Sequence, residues 1–273
     1  MALSVLLLLL LSTMAFFGLK AHKEALAYED ASTQIVSEQG AEAQAKLKLE
    51  ALAKSILGPL YEDTRQQHLS QLEKNRMLAK SEAEKFTRYF MYLLGVLLLS
   101  YFFLSLRLFT VFASLATLQT LLLGLLTPIL MVTIHKEVEY LGDVVLSFES
   151  KGVMGSISKL FENGDTIIAL VILLFSVVIP LLKVIALLFV SLFAHNEVAH
   201  TIIKFFKLIG KWSMVDVFVV AVFLVYLTAN NAEVSRAEVE VGLYFFLAYV
   251  IVSMLVSLSA DKMLREGKVE RVN

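Results

Sequence analysis

The stretch Gly210-Lys211-Trp212-Ser213-Met214-Val215-Asp216-Val217-Phe218 opens a long apolar run, and its reading decides the fold. A Trp beside a Lys at the start of such a run is a membrane-interface anchor, because the indole suits headgroup depth and the ammonium stays wet. Asp216 follows about one helical turn deeper, where a carboxylate is expensive to leave unpaired. A chain keeps an ionisable group there only if something compensates for it.

Composition agrees that this is a membrane protein. The mean hydropathy of +0.75 and the 58% hydrophobic share exceed what soluble domains carry. A net charge of -1 gives no argument for nucleic acid as a partner. With no cysteine in the chain there are no disulfides, thiol nucleophiles or Cys-ligated zinc sites.

Outward from the opening stretch, the apolar runs predict an α-helical integral membrane protein of six transmembrane helices. The first is 1–19, a signal anchor or a cleaved signal peptide; Ala25-Leu26-Ala27 offers a small-x-small pattern, but there is no basic n-region. The second is Tyr89 to Leu106, within a segment bounded at 87–107, and the third runs from Leu108 to Ile134. Thr166 to Ala194, a helix containing Val215 to Thr228, and Val241 to Ala260 complete the set, with a cytoplasmic tail at 263–273. In the third span, Gln119 and the Thr127-Pro128 pair are expected to supply an inter-helix hydrogen bond and a mild kink.

Two segments lie outside these runs. Residues 20–86 mix charges of both signs with helix formers, and Leu49, Leu52, Ala53, Ile56 and Leu57 share one helical face. Leu69, Leu72, Ala79 and Ala83 form a weaker second stripe, and Gly58-Pro59 separates the two. The segment is read as an extracytoplasmic helical hairpin, either a solvated spacer or a docking surface for a partner. In His135 to Asp165, Val138 and Tyr140 alternate with acids, as do Val144, Leu146 and Phe148 with their neighbours, which predicts a small β-rich extracytoplasmic cap. A short helix at Ser156 to Phe161, ended by Asn163-Gly164, is expected beside it. Asn230 to Glu240 reads as a polar loop. Lys and Arg collect in the short loops at Arg107, at Lys204 to Lys211 and after Lys262, which puts both termini in the cytoplasm.

Lys183 and Asp216 are the two charges with no evident place in water. Lys183 sits about 15 Å inside its helix and Asp216 about 6 Å beyond Trp212. The lysine stem can snorkel toward the aspartate, and pairing the charges is far cheaper than burying each alone. The pair either fixes helix register or forms a titratable site lining a cavity. Pro180, one turn before Lys183, frees the Ser176 carbonyl and permits a bend. The five histidines are scattered, and no phosphate loop, nucleophile elbow or metalloprotease motif occurs. The sequence therefore predicts no enzyme, no metal site and no cofactor.

Gly210-Lys211-Trp212-Ser213-Met214-Val215-Asp216-Val217-Phe218-Val219-Val220-Ala221, preceded by Val177-Val178-Ile179-Pro180-Leu181-Leu182-Lys183, resembles the membrane module of the paraquat-inducible protein A family. The likeness covers residues 108–262. It implies a four-helix module in the inner membrane of a Gram-negative envelope, working with a mammalian-cell-entry-domain protein that spans the periplasm. It further implies that the chain loads or extracts membrane lipids, with a proton gradient as a driving force. On this likeness Lys183, Trp212, Ser213, Asp216 and Pro180 form the substrate or proton site. The chain carries one module where better-known members carry two, so a homodimer could supply the second half. It also lacks their Cys-rich zinc ribbons. A different reading is a non-transporting scaffold that recruits envelope or stress-response proteins through the 20–86 hairpin.

Overall fold

The computed structural model describes residues 2–39, 64–138, 142–192 and 235–272. The Leu49–Leu57 stripe, the Gly58-Pro59 break, Tyr140, the basic loop from His195 to Lys211 and the expected fifth span lie outside the described residues.

Helix α1 runs unbroken over Ala2–Gln39 and α2 over Thr64–Leu99. At 1.5 Å per residue each is more than 50 Å long, well beyond a hydrocarbon layer of about 30 Å. No break falls at 19/20 or 86/87; the arms expected as a separate hairpin are the outer continuations of these two helices. The two pack along one another. On α1, Leu7, Leu11, Met14, Gly18, Ala21, Ala25, Tyr28, Ser32 and Ile35 are buried. Their spacing alternates four and three, a heptad seam. Facing it on α2 are Leu72, Ala79, Ala83, Phe90, Leu94 and Leu97. Small residues mark the close approach. A Cβ on Gly18 would overlap the Leu123 side chain and come 3.3 Å from the Phe90 ring.

After a 3-10 turn at Ser100–Phe102, Ser105 caps helix α3, Leu106–Leu126, its hydroxyl accepting from the Leu108 amide at 3.4 Å. Arg107, expected in a loop, stands in the first turn of this helix. The third span was expected to reach Ile134, and it stops at Leu126 instead. Pro128 has no N–H to continue the ladder and drives Thr127 into an extended conformation (φ -87°, ψ 143°). The proline ends the helix rather than kinking it, and Leu130 to Ile134 belong to a strand.

Strands β1 (Leu130–Val138) and β2 (Gly142–Lys151) form an antiparallel hairpin with Leu130 opposite Lys151. The third strand, β3 (Ser235–Val239), pairs antiparallel on the other side of β1, giving the order β2-β1-β3. It corrects the expected polar loop there, where five residues were too few to display an alternation. Helix α4, Val153–Glu162, follows. Gly164 at φ +87° closes it, with Asp165 N–H on Leu160 O at 2.9 Å and Gly164 N–H on Phe161 O at 3.2 Å, a Schellman arrangement that favours glycine.

Helix α5 (Thr166–Leu173) passes through a π turn at Leu174–Val178 into α6 (Ile179–Leu192). Helix α7, Val241–Val272, begins directly after β3 and continues through the residues expected as a tail. Among the described residues, four helical stretches are long and apolar enough to cross a membrane: Leu3–Ser37, Leu106–Leu126, Thr166–Leu192 and Val241–Glu266. The protein is thus a multi-pass membrane protein. The expected second span is not among the four, because the apolar end of α2 is preceded by Glu82, Glu84, Lys85 and Arg88.

Contacts set the directions. His22 meets Thr127 at 3.0 Å and Gln119 donates to Leu11 O at 3.4 Å, so α1 runs parallel to α3. Gly242 N–H bonds Pro128 O at 2.9 Å, while a Cβ on Gly124 would lie 2.8 Å from Phe246 N, so α7 is antiparallel to α3. Arg107 donates to Leu192 O at 2.9 Å, making α6 antiparallel to α3 as well. The start of α1 and the end of α7 therefore share one end of the bundle, and the sheet covers the other. Helix α3 is the centre: 67% of its apolar window is buried, against 22% for Thr166–Leu192.

Candidate functional site

Lys183 occupies the buried face of α6, only 6% exposed. The Pro180 ring lies buried one turn earlier, just past the π turn, whose wider loop closes through Ile179 N–H to Leu174 O. A π turn followed by a proline leaves carbonyls without helical partners, a common feature of helices that line functional sites. The ammonium of Lys183 donates to Ser253 Oγ on α7 at 3.2 Å. Ser253 in turn donates to Val250 O at 2.9 Å. One hydroxyl does not satisfy three ammonium donors, and Lys183 makes a further interaction beyond this bond.

Counted from the Arg107–Leu192 contact, Lys183 lies about 14 Å along α6, the level of Ala116 and Thr117 on α3. Along α3, Thr110, Ser114, Thr117 and Thr120 are all buried. Three of these hydroxyls donate to carbonyls of their own helix at 2.6–2.7 Å. The Ser114 hydroxyl has no partner among the described residues. The inside of the bundle at the depth of Lys183 thus offers a cation, a serine bonded to it, and hydroxyls on a third helix.

Of the residues singled out in the sequence, Lys183 and Pro180 are brought together on one buried turn. Trp212, Ser213 and Asp216 lie outside the described residues. Ser253 was not foreseen. A serine in an apolar run is common, and nothing in the spacing distinguishes it from Ser257 or Ser259.

A second polar cluster forms where the arms of α1 and α2 meet the sheet. Tyr28 donates to Glu238 at 2.9 Å, Lys80 pairs with Glu238 at 2.9 Å, and Arg76 donates to the Tyr28 oxygen at 3.2 Å. Burial would raise the Glu238 carboxyl. The bonds from Lys80 and Tyr28, with the Lys80 and Arg76 charges, outweigh it and hold the carboxyl below its usual range. Glu240, two residues on, is 5% exposed, and its Oε1 has no partner among the described residues. Burial pushes its pKa up to about 7, with Glu238 and Glu84 adding to the rise and Lys80 and Arg76 opposing it. Among the described residues no three His, Asp or Glu side chains converge as metal ligands would.

A family model described as "Paraquat-inducible protein A" matches residues 108–265. The chain is 28% identical to the "Intermembrane transport protein PqiA" of Escherichia coli (strain K12) over 115 residues, which are 40% of this chain and 27% of that protein. The same protein of Shigella flexneri matches to the same extent. A "Probable intermembrane transport protein" of Haemophilus influenzae is 25% identical over 118 residues, 41% of this chain and 28% of the relative. The match thus spans little more than a quarter of the length of these curated relatives. No solved structure matches the chain.

Proposed function

Since this chain belongs to the paraquat-inducible protein A family, we propose that it is the inner-membrane subunit of an envelope lipid-transport system. It loads or extracts lipid for a periplasm-spanning partner that carries a mammalian-cell-entry domain. Both termini face the cytoplasm and the sheet faces the periplasm. The protein works as a transporter component rather than an enzyme, and a homodimer supplies the second module that two-module members carry within one chain.

The observation that carries this reading is the buried Lys183, bonded to Ser253 beside the π turn and Pro180, inside the region the family model matches. Such a cation in mid-membrane defaults to a functional role. Asp216 is its counter-charge in this proposal, with Trp212 and Ser213 at the mouth of the same site, and proton movement at the pair drives the lipid step. The relatives' printed names, which concern intermembrane transport, support the same direction. The scaffold alternative is weaker, because the α1 and α2 arms are tied into the module through Glu238 rather than held apart for a partner.

In a strain lacking the gene, the wild type should restore resistance to detergents that enter through a damaged envelope. Lys183→Met and Asp216→Asn should accumulate in the membrane at wild-type level and fail to restore it. Full restoration by either variant would remove the site from the mechanism.

A further inference from the structure

On the side of α7 away from Lys183, a cavity of about 480 Å³ opens between α2 and α7. One end is polar. It is lined by Tyr28, Lys80, Glu84, Arg88 and Glu240. The other end is apolar, formed by Met91, Tyr244, Leu247, Ala248 and Ile251. The gradient has the same direction on both walls, since α2 and α7 both descend from the sheet toward the end that holds the termini. From Glu240 to Ile251 the α7 wall is about 16 Å long, close to half the hydrocarbon thickness. Tyr244, Leu247 and Ile251 are each about half exposed, so the apolar end opens sideways, toward where lipid chains would lie.

The polar end has both signs of charge and an unmet demand. Glu238 engages Lys80, while Arg88 and Glu84 form no ion pair among the described residues. Glu240, whose Oε1 is buried and without a partner among the described residues, is one of the residues lining the same cavity. An orphaned buried acceptor costs stability until a donor reaches it. We propose that this cavity is a lateral binding site for a phospholipid with a primary-amine headgroup, its ammonium on Glu240 and Glu84, its phosphate on Arg88 and Lys80, and an acyl chain along Met91 to Ile251. A primary ammonium brings three N–H donors to the orphaned oxygen. A trimethylammonium head has none, and an anionic head without an amine leaves both carboxylates unanswered. The site is separate from Lys183. It rests on the lipid-transport reading only for its purpose, as the place where lipid from the sheet-side leaflet waits before or after passage.

The test uses the full-length protein purified in detergent and exchanged with mixed micelles of phosphatidylethanolamine, phosphatidylcholine and phosphatidylglycerol at equal mole fractions. Retained lipid is read by native mass spectrometry. Wild type should retain the ethanolamine lipid about tenfold over the choline lipid, the worth of a charge-assisted hydrogen bond. Glu240→Leu should bring that ratio to about one, and Ala248→Trp should lower retention of all three lipids while the protein stays monodisperse. Retention in proportion to supply by the wild type, or an unchanged ratio in Glu240→Leu, overturns the proposal. A Lys183→Met variant that keeps the preference but loses envelope function supports the site and the transport reading separately. A preference intact in a chain whose deletion leaves the envelope unharmed sinks the transport reading and leaves the site standing.

Discussion

Glu240 stands where β3 turns into α7, and its main-chain N–H donates to Ile129 O at 2.9 Å, so the backbone fixes the side chain in the seam. Its folded-state pKa of about 7 lies above the ordinary glutamate value of 4.5. A raised acid favours the folded state while it is protonated, so that stability is present in full below about pH 4.5 and is lost as pH rises through 7. At about 1.4 kcal/mol for each unit displaced, the loss is on the order of 3 kcal/mol. Lipid-free protein in detergent should therefore melt at a lower temperature at pH 8 than at pH 5, and Glu240→Gln should flatten much of that slope. An unaltered slope in the variant would assign the pH dependence to other groups. The residue was missed in the sequence because an acid ending a polar loop is ordinarily solvated; only the pairing of β3 with β1 buries it.

At the scale of elements, close backbone approach replaces the hydrophobic drive that lipid removes. Gly124 on α3 faces the Phe246 main chain, where an added Cβ would sit 2.8 Å from the nitrogen and 2.9 Å from Cα. Gly242 likewise lies against the Thr127 and Pro128 carbonyls. Backbone cannot swing aside as a side chain can, so Gly124→Leu should separate α3 from α7 and cost about 1–3 kcal/mol or more. Gly95→Leu should be nearly silent by comparison, because nothing lies within 4 Å of its Cβ position. Thermal midpoints of the two variants in detergent check the contrast, and equal midpoints would deny the close contact. The heptad seam of α1 was illegible for a related reason. In Met1 to Leu19 almost every residue is apolar, so the seam positions do not stand out, and beyond it the seam continues in Ala21, Ala25 and Tyr28 among charges. Pro128 was visible, but its effect depended on whether the chain resumed as helix or strand. By contrast the end of α4 at Asn163-Gly164 was readable, since the turn chemistry is local.

Across the whole molecule, the central α3, the α6 segment with Lys183 and the first half of α7 form one packed unit, and α1 with α2 add a long two-helix seam beside it. The long apolar runs announced the membrane class, and the Lys183 and Trp212-to-Asp216 blocks announced the family, because charges in such runs are costly enough to be conspicuous. What joins the parts was hidden: β3 pairing with β1 far away in sequence, and Glu238 holding Tyr28 and Lys80 from two other helices. Such contacts follow from three-dimensional placement, which no single stretch encodes. The proposed compensation of Lys183 by Asp216 within the module is addressed most directly by charge reversal. Lys183→Asp and Asp216→Lys each place two like charges in the bundle, at a cost of several kcal/mol, and each should lower membrane abundance and abolish envelope protection. The double reversal should restore abundance and at least part of the protection. Single reversals that accumulate and protect as the wild type does would contradict the pairing.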